Sequence, residues 1–354
     1  MTVLGVIEGF YGQPWGWSIR HEALPFFQEW GFSLYLYAPK SDRRLRKEWR
    51  LSHEEDEAQA LKKFGEACAA HGIRWGVGLT PLSLHESWDA NGRRALAKRL
   101  SALAALKMDH LAILFDDMPG NFPDLAKTQG DILKFVADQG VASQLSMCPT
   151  YYSDASILDR LFGDRPENYL KDLGHALDDS VQVFWTGPGI CSSEYPSEHL
   201  ERVTDRLGRK PFIWDNYPVN DGPRMCRFLH LQSPQRPKSV MSRVSGLMVN
   251  PMNQHFLSRV ALVSMSRSLG GTSGAADVKY RTEAAIQQAL PGAVSAKICR
   301  DWSLFQERGL DEIEEHKKIA LINEYREIDH PAAAEVVQWL EGKYVVSKDI
   351  LTDC

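Results

Sequence analysis

Two adjacent carboxylates, Asp116 and Asp117, follow a short apolar run and precede a Pro-Gly pair. The run 111–115 has the length and composition of a strand buried on both faces, so both acids are predicted at the strand's C-terminal end. Ligands bind at that end of parallel strands. Because like charges repel, one acid is expected to stay protonated near neutral pH, and a glycosidase needs such a pair. The pair could instead simply end the strand or cap the next helix.

Eight strand-like segments alternate with helix-like segments over about 270 residues. The predicted strands are 3–8, 33–38, 75–79, 111–115, 144–147, 181–185, 211–214 and 246–249. The helices between and after them are predicted near 22–30, 52–71, 90–107, 127–138, 155–173, 197–207 and 254–269. The second of these is predicted to begin with a capping box formed by Ser52-His-Glu-Glu55. This number and length predict an α/β fold, a (β/α)8 TIM barrel over residues 1–271. The alternative, an open doubly wound sheet, would need a glycine-rich phosphate turn after its first strand, which the segment 8–12 is not.

Beyond Thr272 the pattern becomes purely helical. Helices are predicted over 278–289, 293–308, 310–326 and 331–343, the last with Pro331 in its first turn. No low-complexity linker precedes them, so residues 272–354 are predicted to form an all-helical C-terminal extension packed on the barrel. A homodimer through these helices is a further expectation.

Composition excludes several classes of function. The formal net charge of -5 offers no basic face for nucleic acid, and the basic run 43–50 is interpreted as a solvated loop or helix face. No apolar segment is long enough to cross a membrane, and the N-terminus leads into a strand without an export signal. The six cysteines are scattered, which suits free thiols in the cytoplasm. The eleven histidines form no metal-binding motif, so neither a metal nor a cofactor is expected.

In a barrel, the loops after the eight strands meet on one face, and their polar and aromatic residues become one set. That set, called the strand-end set below, contains Gly9, Phe10, Tyr11, Lys40, Asp42, Asp116, Asp117, Tyr151, Tyr152, Trp185, Trp214, Asn216, Asp221 and Asn250. It suits a sugar, because polar groups bind hydroxyls while aromatic faces bind the apolar side of the ring. A phosphate ligand would require more arginines or glycine amides. Each residue alone also has a structural explanation, in the core, in a helix cap or on the surface.

At these residues the sequence resembles the family-84 glycoside hydrolases, the β-N-acetylglucosaminidases that include O-GlcNAcases and some bacterial enzymes named hyaluronidases. The motifs, in the family's order, are Gly5-Val-Ile-Glu-Gly-Phe-Tyr-Gly-Gln-Pro-Trp15, Leu36-Tyr-Ala-Pro-Lys40, Phe115-Asp-Asp117, Cys148-Pro-Thr150 with Tyr152, Phe184-Trp-Thr-Gly-Pro-Gly189, Trp214-Asp-Asn-Tyr-Pro-Val-Asn-Asp221 and Val249-Asn-Pro-Met252. They cover the predicted barrel as far as about Leu269.

The resemblance implies exo-acting, retaining hydrolysis of terminal β-linked GlcNAc, in which the substrate's own 2-acetamido oxygen attacks the anomeric carbon to give an oxazoline. By match to the family's acid pair, Asp116 would bind the acetamide N–H. Asp117 would protonate the leaving oxygen and then activate water. Tyr152 would bind near the acetamide oxygen, and Trp214 would help to wall the acetyl pocket. The sugar hydroxyls would contact the Gly9 carbonyl, Lys40, Asp221 and Asn250, with Asn216 close to the acid pair.

Two positions depart from the expected pattern, Tyr151 and Asp215, and either could alter specificity or the field at Asp117. Two other functions remain open. One is a catalytically inactive GlcNAc-binding barrel, although binding alone does not require paired acids. The other is a hexosaminidase or hyaluronidase with an ordinary two-carboxylate mechanism, which would need a second carboxylate such as Asp221.

Overall fold

In a computed structural model that describes residues 2–271 and 277–346, eight parallel strands form a closed barrel in sequence order. The strands are β1 (Val3–Glu8), β2 (Leu34–Tyr37), β3 (Arg74–Leu79), β4 (His110–Leu114), β5 (Gln144–Cys148), β6 (Gln182–Trp185), β7 (Phe212–Asp215) and β8 (Gly246–Val249). The barrel closes where β8 pairs with β1, with Val3 opposite Gly246. The predicted (β/α)8 TIM barrel is therefore confirmed.

Helices surround the barrel. They are α1 (Trp17–Glu29), α2 (Glu55–Ala70), α3 (Ala90–Ala104), α4 (Leu125–Asp138), α5 (Ile157–Phe162), α6 (Tyr169–Ala176), α7 (Ser197–Leu207) and α8 (His255–Gly270). The single helix predicted over 155–173 is wrong, because the chain breaks at Gly163, whose φ of 89° lies in the left-handed region that glycine favours.

Every residue of β4 is buried, including His110, and the apolar run that makes up the rest of the strand predicts this burial. After the strand ends, the Phe115 amide still donates to the Cys148 carbonyl at 2.9 Å. This bond holds the backbone in place up to the residue before Asp116. The two acids therefore follow directly from a rigid element at the C-terminal end of the barrel.

Four further helices follow α8, and the first and last of them pack directly against it. They are α9 (Val278–Ala289), α10 (Gly292–Ser303), α11 (Glu315–Arg326) and α12 (Pro331–Leu340). Their apolar side chains form a second cluster that includes Phe256 and Leu257 of α8. Glu335 of α12 accepts hydrogen bonds from the backbone amides of those two residues, at 3.0 and 2.9 Å. The proposed boundary at 271/272 adjoins residues outside the described ranges, and the division into two domains stays a prediction.

The two middle helices are shorter than predicted. After α10 the segment Leu304–Arg308 forms a π-helical turn, which Gly309 ends with a φ of 71°. A short 3-10 turn follows, and α11 begins only at Glu315.

Within residues 2–271 and 277–346, no helix is long and apolar enough to cross a membrane. Over the same ranges, no group of three His, Cys, Asp or Glu side chains is placed to hold a metal ion. Cys68, Cys148, Cys226 and Cys299 are free thiols, whereas Cys191 is disulfide-bonded. The prediction of free thiols is therefore wrong at Cys191.

Candidate active site

A pocket opens at the C-terminal end of the barrel, with an empty volume of about 500 Å³ including the space at its mouth. Its lining contains all nine predicted site residues, Gly9, Lys40, Asp116, Asp117, Tyr152, Trp214, Asn216, Asp221 and Asn250. The structure thus brings these residues together, while their individual roles stay predictions.

Asp116 is a buried carboxylate with two different oxygens. Its Oδ2 accepts a hydrogen bond from the Lys40 ammonium, whose side chain is almost fully buried. Its Oδ1 is buried and has no hydrogen-bond partner among the described residues. An unpaired buried acceptor is costly, by about 1–3 kcal/mol. Because this oxygen belongs to a pocket-lining residue, it suits an N–H or O–H donor on a bound ligand.

Asp117 is in a setting that favours its protonated form. Its φ of 59° is uncommon for a residue with a side chain. Burial and then the adjacent charge of Asp116 raise the pKa of Asp117, while Lys40 and the Tyr11 hydroxyl oppose that rise. Asp117 is therefore suited to donate a proton.

Tyr11 was predicted only as a member of the strand-end set, and the structure places it against Asp117. Its hydroxyl donates to Asp117 Oδ2 and accepts from Arg46 Nη2 at 3.2 Å. The interpretation of 43–50 as a solvated face is therefore wrong at Arg46, which is half-buried. The signal was available in the sequence, because Leu45 and Trp49 recur four residues apart within the basic run and both are buried.

The opposite side of the pocket is a chain of hydrogen bonds between loops. The Gly9 amide donates to Asn250 Oδ1 at 3.2 Å, and Asn250 Nδ2 donates to Asn216 Oδ1 at 3.0 Å. Asn216 Nδ2 in turn donates to the Ile190 carbonyl at 3.0 Å. Four separate loops are fixed relative to one another by these bonds, which preorganises the pocket.

Asp221 and Trp214 complete the polar and aromatic character of the site. Asp221 Oδ2 accepts from the Tyr11 amide at 2.6 Å, and burial raises the pKa of Asp221 to about 6. The Lys40 ammonium lies 5.6 Å from the centre of the Trp214 ring, and Phe184 packs edge-on against that ring. The arrangement combines an apolar wall with directional polar groups, as a sugar site requires.

Gly9 is a position where even a methyl group would disturb the site. A Cβ there would lie 2.4 Å from Trp214 Cζ2, so the indole would have to move. We expect Gly9→Ala to lower kcat/KM roughly 10- to 100-fold, because small misplacements at a reacting site are costly. Gly16→Ala is the matched control, since its Cβ would meet open space. If kcat/KM of Gly9→Ala equals that of the control, Trp214 does not need its present position.

Several members of the strand-end set point elsewhere. Asp42 accepts from the amides of Arg44 and Leu45 and so caps a short helical turn. Trp185 donates to His199 Nε2 at 3.0 Å, and Phe10 packs in the core. For these residues the structural explanation holds.

The two departures from the family pattern also lie outside the pocket lining. Tyr151 is fully buried, and its hydroxyl donates to the Gly163 carbonyl at 2.6 Å. Asp215 is fully buried and paired with Arg236, whose Nε and Nη2 donate to it at 2.6 and 2.9 Å. The charge of Asp215 is therefore compensated locally rather than directed at Asp117.

Prediction missed the small and apolar residues of the lining, which are Cys148, Thr186, Ile190 and Val219. Cys148 is the last residue of β5, so its strand-end position was a usable signal. Ile190 and Val219 lie in loops whose course the sequence did not specify.

The chain resembles proteins of one enzyme family along most of its length. Residues 4–300 match the family model described as beta-N-acetylglucosaminidase (NAGidase). The protein O-GlcNAcases of Mus musculus and Rattus norvegicus are each 30% identical over 274 residues, which is 74% of this chain and 29% of theirs. The chain therefore spans less than a third of the length of these mammalian relatives. A mutant of the Thermobaculum terrenum O-GlcNAc hydrolase has a similar structure, with a TM-score of 0.76 and 26% identity over 96% of this chain and 80% of that one.

Proposed function

This chain belongs to the β-N-acetylglucosaminidase family of glycoside hydrolases, and from that premise we propose that it is a retaining, exo-acting enzyme that removes terminal β-linked GlcNAc by substrate-assisted catalysis. The proposed substrate is a GlcNAc-containing glycan or glycoconjugate, by analogy with the O-GlcNAcases and the O-GlcNAc hydrolase that the chain resembles. The motifs in the sequence and the match to the family model both indicate this family.

One observation carries the proposal, the unequal pair of acids at the end of β4. Asp116 is held by Lys40 and keeps a buried oxygen for a ligand donor, while burial and its neighbour raise the pKa of Asp117. An anchoring carboxylate beside a proton donor is what intramolecular attack by an acetamide requires. A binding protein has no need of a raised pKa at the second acid.

In the first step, the 2-acetamido oxygen of the bound GlcNAc forms a bond to the anomeric carbon. The glycosidic C–O bond breaks, and Asp117 transfers its proton to the leaving oxygen. Asp116 accepts a hydrogen bond from the acetamide N–H. This bond orients the nucleophile, and the carboxylate stabilises the positive charge of the forming oxazoline. No enzyme side chain becomes covalently attached to the sugar.

In the second step, the Asp117 carboxylate takes a proton from water, and the water oxygen bonds to the anomeric carbon. The ring bond to the acetamide oxygen breaks, so the acetamido group is restored. Because each step inverts the anomeric centre, the net result is retention.

The remaining pocket residues would position the sugar. Its hydroxyls are proposed to contact Lys40, Asp221, Asn250 and the Gly9 carbonyl. Tyr152 would donate to the acetamide oxygen, and Trp214 would face the acetyl methyl group. Asn216, which Asn250 Nδ2 holds, would stand close to the acid pair.

The test compares hydrolysis of an aryl N-acetyl-β-glucosaminide with that of its N-trifluoroacetyl analogue. Fluorine withdraws electrons from the acetamide oxygen and makes it a poorer nucleophile. We expect kcat/KM to fall roughly 100-fold or more on fluorination, because the attack by that oxygen is part of the transition state.

Each other result selects a different function. Equal kcat/KM for the two compounds would overturn substrate assistance. It would favour a two-carboxylate mechanism, for which Asp221 is the candidate second group. Binding of GlcNAc without hydrolysis of either compound would favour the inactive binding barrel.

We keep two further predictions as proposals. A cytoplasmic location is supported by the free thiols of Cys68, Cys148, Cys226 and Cys299, while the disulfide at Cys191 counts against it. A homodimer through the C-terminal helices is the second proposal, and the exposed side chains of Tyr280 and Ile319, 66% and 52% exposed, are its candidate contacts.

A further inference from the structure

Arg46 lies just behind the acid pair without lining the pocket itself. Its Nη2 donates to the Tyr11 hydroxyl at 3.2 Å, and its guanidinium carbon lies 5.5 Å from the centre of the Tyr11 ring. Arg46 is half-buried, and its Nε is buried without a hydrogen-bond partner among the described residues. A cation with so little access to solvent needs an electrostatic reason to be there.

The backbone around Arg46 is fixed independently of the pocket. The Leu45 carbonyl accepts from the Thr80 amide at 2.8 Å, and Trp49 donates through its indole N–H to the Leu82 carbonyl at 3.1 Å. Both Leu45 and Trp49 are buried. Replacement of the Arg46 side chain therefore leaves the anchors of its segment in place.

Tyr11 is fixed just as firmly through its backbone. Its amide donates to Asp221 Oδ2 at 2.6 Å, and its carbonyl accepts from Asn253 Nδ2 at 2.8 Å. These bonds place the phenol between Arg46 and Asp117. Burial and the charge of Asp117 raise the pKa of Tyr11, so the phenol stays protonated and keeps donating.

Two hydrogen bonds in series therefore run from Arg46 to Asp117. The Arg46 N–H donates to the phenol oxygen, and the phenol O–H donates to Asp117 Oδ2. A cation on the oxygen of a hydroxyl makes that hydroxyl a stronger donor. These two bonds stabilise the carboxylate form of Asp117. Because Oδ2 accepts the hydrogen bond from Tyr11, they favour Oδ1 as the oxygen that carries the proton when Asp117 is protonated.

We propose that Arg46 is a positioning residue, which acts through Tyr11 to orient Asp117 and to limit how tightly Asp117 holds its proton. The proposal rests on the proposed function, because it takes Asp117 as the acid and base of the reaction. Arg46 touches neither substrate nor reacting atoms in this role.

The role follows from the balance of charges that act on Asp117. Asp116 adjoins it in sequence, Lys40 contacts Asp116, and the Asp221 carboxyl and the Cys148 thiol line the same pocket. Burial and Asp116 favour the protonated acid, whereas Lys40, Tyr11 and Arg46 favour the carboxylate. An acid that held its proton too tightly would be a poor donor, since efficient transfer needs a pKa near the working pH.

The test is the pH profile of kcat/KM for Arg46→Gln, with a glycoside that has a poor leaving group. Activity is lost as pH rises through the pKa of Asp117, because the acid must be protonated for the first step. Loss of the Arg46 cation should raise the pKa of Asp117. The alkaline limb of the profile, where activity falls with rising pH, should therefore move to higher pH by roughly 0.5 to 1 pH unit. At the wild-type optimum, kcat/KM should fall about tenfold on the poor leaving group and less than about twofold on an acidic phenol.

Lys47→Gln is the matched control, since it removes the same charge from the next, exposed residue. Its alkaline limb should coincide with that of the wild type, and Arg46→Lys should recover part of the wild-type position. In a Tyr11→Phe background, Arg46→Gln should move the limb clearly less than in the wild type, because the connecting phenol is gone and only the direct attraction between Arg46 and Asp117 remains.

An unmoved limb in Arg46→Gln, or a full additional movement in the Tyr11→Phe background, would overturn the proposal. These results are distinct from failure of the proposed function. If fluorination slows the wild type while Arg46→Gln leaves the limb in place, substrate assistance stands and only the role of Arg46 is wrong.

Discussion

Replacement of Asp117 by Asn is expected to reduce kcat/KM by about 10²- to 10⁴-fold on glycosides with poor leaving groups, while glycosides of very acidic phenols lose little. The reason is that an alkoxide leaving group needs the proton that Asp117 holds, whereas an acidic phenolate departs without it. The measurement is kcat/KM across a series of aryl and alkyl GlcNAc glycosides, plotted against the pKa of the leaving group. The dependence should become much steeper in the variant.

The control is Asp124→Asn, which removes a solvent-exposed carboxylate from the same loop. That variant should show the wild-type dependence on the leaving group. Equal losses on poor and acidic leaving groups in Asp117→Asn would contradict the role of proton donor and would indicate damage to the pocket instead. A comparison of the melting temperatures of the two variants detects such damage directly.

The strands could be predicted because a barrel imposes a simple demand on sequence. Both faces of each strand are covered, so strands are short apolar runs, and β1 and β8 have the predicted bounds. The same rule located the site, since polar residues that directly follow such runs must collect at one end. Asp116 and Asn250 were placed in this way, and the pocket lining contains both.

Prediction failed where the structure depends on contacts between loops. The sequence gives no sign that Arg46 reaches Tyr11, which is 35 positions away and lies in a different loop. Helix boundaries failed for a related reason. The predicted capping box at Ser52 is wrong, because α2 begins at Glu55 and its N-cap, Glu54, makes no side-chain bond to the helix. Local patterns specify an element, but the ends of elements and loops depend on tertiary packing.

Asp116→Asn is expected to reduce kcat/KM by about 10²- to 10³-fold on poor and acidic leaving groups alike. Both classes suffer because the damaged event is attack by the acetamide oxygen, which every substrate needs whatever its leaving group. The neutral amide cannot stabilise the positive charge of the oxazoline, and the substitution also removes the negative charge that pairs with the Lys40 ammonium. The measurement uses the same leaving-group series, in which the plot should be displaced downward without becoming steeper.

A general collapse of the pocket would also affect both classes, so binding must separate the two explanations. A thiazoline that imitates the oxazoline requires Asp116 in the same way as the intermediate does, whereas free GlcNAc gains much less from it. Asp116→Asn should therefore weaken thiazoline binding far more than GlcNAc binding, because only the former resembles the charged state. Equal losses for both ligands would indicate collapse. If only poor leaving groups suffered, the roles of Asp116 and Asp117 would have to be exchanged.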